Sequence, residues 1–66
     1  MNMNINIHES QYWRVIRNSD GKLLRREKKK WTEFAKNGRI ENNQLIYDIY
    51  ENNEFKRTKK FYLKRS

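Results

Sequence analysis

The sequence has no cysteine, no proline, two glycines and a single histidine among its 66 residues. Without cysteine there is no disulfide framework, and one chain cannot assemble the Cys/His zinc sites of small domains. That points to a reducing, cytoplasmic compartment. Two glycines do not make a phosphate-cradling loop. The lone histidine, His8, lies near the N-terminus, and Ser10 and Ser19 read as turn residues, so no nucleophile–base pair stands out. Glu41, Asp48, Glu51 and Glu54 gather around turns, where carboxylates solvate rather than hold a metal. No catalytic residue, metal site or cofactor is expected, and the chain does not read as an enzyme. With no proline and no Gly/Ser stretch there is no internal boundary, so residues 1–66 are read as one domain. No apolar run approaches the roughly 20 residues of a membrane span. The opening, Met1 to Ile7, alternates with Asn and lacks the apolar block of a signal peptide, so no membrane partner is expected.

Aliphatic residues are scarce as well. Leu, Ile, Val and Phe number 14 of 66, and the net charge is +8, which together approach the composition of disordered chains. Nine aromatic residues argue the other way, because each carries a large burial area. A domain so poor in aliphatics needs them inside, so Trp13, Trp31, Phe34, Phe55 and Phe61 are assigned to the core. That core is thin, and pairing as a homodimer or ordering on a partner would complete it. Nine Asn, nine Lys and six Ile form a bias common in AT-rich genomes, phages and other mobile elements among them.

Along the chain, Met1 to Ile7 has the period of a half-buried strand, and Gln11 to Arg17 is rich in β-formers. Asp20-Gly21 signals a hairpin leading into Lys22–Glu27. A rival reading makes Asp20 the N-cap of a helix over Lys22–Lys36, and in either case Lys29–Lys36 looks helical, with Asn37-Gly38 as its stop. Gln44–Tyr50 and Phe55–Leu63 read as strands, with Phe55, Arg57, Lys59 and Phe61 on one face of the second. Glu41-Asn42-Asn43-Gln44 and Glu51-Asn52-Asn53-Glu54 are similar hairpin turns ten residues apart, which suggests a meander. The fold class that follows is α+β: a small antiparallel β-sheet of four to five strands with one central helix. The alternative is an all-β meander or SH3-like small barrel, with residues 29–37 as a loop or single turn.

The charge is unevenly placed. Lys22, Arg25, Arg26, Lys28, Lys29 and Lys30 form one basic cluster, and Lys56, Arg57, Lys59, Lys60, Lys64 and Arg65 form another. Residues 40–54 contain four carboxylates and no Lys or Arg. If the clusters meet in space they make one basic surface, with the acidic turns directed elsewhere. Such a surface suits a polyphosphate backbone, since each neutralised phosphate releases counterions. Arginine adds bidentate contacts, for which Arg25, Arg26 and Arg57 are the candidates. Aromatics beside the basic runs (Trp31, Phe55, Phe61, Tyr62) are placed to stack on unpaired bases, Tyr62 best of all because it shares a face with Lys56 and Lys60.

The leading expectation is a small nucleic-acid-binding protein, DNA or RNA, whose contacts come from Lys22, Arg25, Arg26, Lys28, Lys29, Lys30, Lys56, Arg57, Lys59, Lys60 and Tyr62. One alternative is a phage-type protein that inhibits a host protein by docking on its acidic surface through aromatic and arginine anchors. Another is a small metal-independent ribonuclease toxin working with Arg, Lys and Tyr, although no motif of that class maps onto the chain. A basic amphipathic helix over residues 22–36 at a membrane surface is the weakest of these readings.

Overall fold

The computed structural model describes residues 5–63 and contains six strands and no helix among them. The strands are β1 (Ile5–Glu9), β2 (Trp13–Asn18), β3 (Leu23–Lys28), β4 (Glu33–Glu41), β5 (Gln44–Glu51) and β6 (Glu54–Tyr62). They form two antiparallel sheets, β1-β2-β3 and β4-β5-β6. This overturns the α+β expectation, and the all-β alternative is the one that fits. Met1–Asn4 of the first predicted strand, together with Lys64 and Arg65 of the second basic cluster, lie outside the described residues.

The central helix fails for a physical reason. Lys29, Lys30, Glu33, Ala35 and Lys36 suit a helix, but Trp31, Thr32 and Phe34 favour strands, and Leu24, Trp31, Phe34 and Ala35 never join into a continuous apolar stripe. From Glu33 the burial alternates instead, with Glu33 buried, Phe34 exposed, Ala35 half-buried and Lys36 exposed, and β4 pairs with β5 along this stretch. Residues 29–32 are the turn before it. A membrane-surface helix over residues 22–36 is ruled out by the same strands. Asn37-Gly38 is a bulge within β4 and not a helix stop. Asn37 takes the left-handed conformation (φ 59°), and the register slips between Lys36 and Arg39. Gly38 is there because β1 crosses against it: a Cβ would lie 2.7 Å and 2.8 Å from the Cδ1 atoms of Ile5 and Ile7.

The hairpins are fixed locally. The Asn18 side chain accepts the amides of Asp20 and Lys22, each at 2.9 Å, and Gly21 supplies φ 85°, which closes the β2–β3 turn. Asn42-Asn43 and Asn52-Asn53 are two-residue turns with positive φ at both positions, the backbone that matches the twist of the strands they join. These turns produce the predicted meander β4-β5-β6.

The sheets pack face to face. Ile16 from one and Leu45, Tyr47 and Ile49 from the other form the buried centre, with Ile5, Ile7, Leu24, Ala35, Ile40, Phe61 and Leu63 around it. The core is therefore mainly aliphatic, which corrects the assignment of five aromatics to it. Phe61 does pack against the centre, but Trp31, Phe34 and Phe55 are 64%, 50% and 54% exposed, and Trp13 is half-buried on the outer face of its sheet. Phe55 was expected on the face of Arg57 and Phe61. A bulge at Lys56 shifts the register, pairing Phe55 with Tyr50 while Arg57 pairs with Ile49, and so turns Phe55 outward.

The two long sides of this sandwich differ. On one, β1 runs beside β4, and the Glu9 carboxylate accepts the Ala35 amide at 3.2 Å. On the other, the edges β3 and β6 are bridged by side chains: the Arg25 guanidinium lies 3.6 Å above the Phe61 ring, and Lys59 Nζ reaches Glu27 at 3.5 Å.

Candidate nucleic-acid interface

Strand alternation places both strand carboxylates of the first sheet on its inner face. Glu9, Arg14 and Glu27 are successive cross-strand neighbours on its inner face. Arg14, almost fully buried, donates from Nε to Glu9 at 2.8 Å and from Nη1 to Glu27 at 2.5 Å. Glu27 also accepts from Arg25 at 2.8 Å and from the Tyr47 hydroxyl at 2.7 Å. Burial pushes the Glu27 carboxyl up, but hydrogen bonds from Arg25, Tyr47 and Arg14 outweigh it and hold the group at about 2. Burial and the bond to Glu27 push the Tyr47 phenol well above its ordinary range. Near neutral pH the carboxylate stays ionised and the phenol protonated. The cluster thus locks charges in place between the sheets and is poorly suited to proton transfer.

The outer face of the same sheet is different in kind. Its rows are Asn6, Arg17 and Leu23, then His8, Val15 and Arg26, then Trp13 and Lys28. These strand positions include three permanent cations and no carboxylate. The Arg26 guanidinium lies over the Trp13 ring at 4.3 Å, with Lys28 Nζ at 5.7 Å.

The predicted contact residues divide accordingly. Lys22, Arg26, Lys28, Lys30, Lys56, Lys60 and Tyr62 are exposed, Tyr62 by 79%. Arg25 and Lys59 are drawn into the seam by Glu27, Arg57 faces Glu33 at 3.5 Å, and Lys29 is buried with its ammonium on the Ser10 carbonyl at 3.1 Å. The two basic clusters do converge where β3 faces β6, but the side chains that meet there are partly neutralised by Glu27. The acidic turns are not both remote: Glu51–Glu54 directly precedes Phe55, and Glu51 accepts the Thr32 hydroxyl at 2.6 Å, which lowers its pKa. Arg17 was missed, although the parity that groups it with Trp13 and Val15 is visible in the sequence.

Aromatic side chains gather where β3 ends and β4 begins. Phe34, Tyr50 and Phe55 are neighbours across the outer face of the second sheet, with the Tyr50 and Phe55 rings 5.8 Å apart and edge-on. Lysines sit over this row, Lys29 Nζ 4.5 Å from the Phe34 ring centre and Lys36 Nζ 4.8 Å from that of Tyr50. The connecting turn adds exposed Lys30 and Trp31, and its Lys29 amide bonds the Tyr12 carbonyl at 3.0 Å. In the next row, Asp48 is the acidic member, its carboxylate accepting from Asn37 and Thr58, which lowers its pKa. Compared with family models, with curated proteins and with solved structures, the chain matches none of them.

Proposed function

We propose that the protein is a nucleic-acid-binding module and that the outer face of β1-β2-β3 is its phosphate-binding surface. The observation that carries this reading is the sorting of charge by sheet face. Glu9 and Glu27 are turned inward onto Arg14, so Arg17, Arg26 and Lys28 face solvent with no carboxylate among their strand neighbours. A surface of that kind neutralises phosphates without first breaking internal ion pairs, and the counterions released drive association. Lys22 and Lys30, exposed just beyond the two ends of β3, extend the positive surface.

Fluorescence anisotropy of labelled oligonucleotides across a salt series tests this. Substituting Arg17, Arg26 and Lys28 together by Ala is expected to lower the slope of log affinity against log salt by about 2–3, since each phosphate contact contributes roughly 0.7–0.9. All three side chains point away from the core, so the variant should keep the circular dichroism of the parent. Binding of equal strength and salt dependence in parent and variant would remove the assignment.

A further inference from the structure

The aromatic end of the molecule lies outside the core between the sheets. Phe34 and Phe55 are half exposed and Trp31 more so, in a chain that has few apolar side chains to spare. The core is complete without them, centred on Ile16, Leu45, Tyr47 and Ile49. Phe34, Tyr50 and Phe55 stand on three adjacent strands of one sheet, which fixes their spacing. Lysines cover the row, with Lys29 over Phe34 and Lys36 over Tyr50. The carboxylate-free face and this row are the outer faces of the two sheets, on opposite sides of the sandwich, and the four-residue turn 29–32, with exposed Lys30 and Trp31, joins them at this end.

From this placement we infer that the protein binds single-stranded nucleic acid, its unpaired bases stacking on Trp31, Phe34 and Phe55 while its phosphates lie on the exposed Lys30 and Lys36 beside them and pass around this end of the sandwich to Lys28. The inference rests on the proposed nucleic-acid role and adds the form of the ligand. Exposed rings on a rigid sheet offer flat surfaces to any base whose own face is free. In a duplex those faces are already stacked on one another, so the same rings gain nothing from it. Charge complementarity selects this occupant, because an apolar protein partner would have to desolvate the exposed ammonium groups of Lys36, over Tyr50, and of Lys30, next to Trp31 in the chain, whereas a phosphodiester strand is attracted to them.

The test compares one mixed-sequence oligonucleotide, as DNA and as RNA, in single-stranded and duplex form, against the parent and against Phe34→Ala/Phe55→Ala. The parent should prefer the single strand. The double variant should lose roughly tenfold or more of that affinity while its duplex binding is unchanged. In a Trp13→Phe variant, which leaves Trp31 as the sole tryptophan, fluorescence should be quenched by the single strand and not by the duplex. Equal or tighter duplex binding, with Trp31 unquenched, would overturn the inference and leave the nucleic-acid role standing. If no oligonucleotide binds and Arg17, Arg26 and Lys28 are without effect, both fail. A nuclease-resistant protein partner that is lost in the double variant would reassign the aromatic end to protein docking.

Discussion

Glu27 touches four side chains, Arg14, Tyr47 and Lys59 on three other strands and Arg25 on β3 itself. Removing it strands Arg14, whose remaining carboxylate partner would be Glu9, inside the sandwich. Breaking a buried pair in this way costs about 3–5 kcal/mol, a large part of the stability of a domain this small. Glu27→Ala is therefore expected to be largely unfolded in urea concentrations that the parent withstands, as followed by circular dichroism. The same carboxyl governs acid stability. Its folded pKa of about 2 lies below the ordinary value of 4.5, so its contribution is complete above roughly pH 4.5 and fades as the pH falls toward 2. Urea midpoints measured from pH 5 down to pH 2 should fall through that window, and a flat profile would contradict the geometry of the cluster.

Turns carry much of the specification of the strands. Asn52 and Asn53 have φ of 53° and 67°, a conformation glycine adopts at least as readily as asparagine, and Asn-Gly is the favoured pair for such turns. Asn53→Gly should stabilise the β5–β6 hairpin by about 0.5 kcal/mol and raise the melting temperature by roughly 2–4 °C, measured by thermal unfolding. These turns were legible because asparagine and glycine state their conformation locally, and β5 was legible because Leu45, Tyr47 and Ile49 alternate without interruption. β4 was not, since its lysines and alanine suit a helix and Asn37-Gly38 imitates a helix end; only the approach of Ile5 and Ile7, more than thirty residues earlier, shows why a glycine stands there. Phe55 was misplaced because a bulge reverses the inside–outside order, and no residue type marks the bulge at Lys56. The candidate site was legible as charge but not as surface. Both basic clusters are plain in the sequence, yet which lysines and arginines remain free depends on where Glu27 and Glu33 fall on the inner faces.

Every hydrogen-bonded strand pair joins neighbours in the chain, β1 with β2, β2 with β3, β4 with β5 and β5 with β6. Among the described residues no further strand pairs with the edges β3 and β6, and Arg26, Lys28, Lys56 and Lys60 line them, which discourages pairing with other copies. The sequential pairing has a kinetic consequence. All-β domains usually fold slowly because distant segments must find each other, whereas here each ladder closes over a short loop and only the docking of the two sheets is long-range. Stopped-flow refolding should accordingly be complete in roughly milliseconds or less, fast for an all-β chain. In hydrogen exchange, the amides of β5, paired on both sides and contributing three of the four central core residues, should be the last to exchange. Because β1 lies directly against β4 while β3 and β6 meet through side chains, the sheets are expected to part first along the β3–β6 seam, like a book whose spine is β1 against β4.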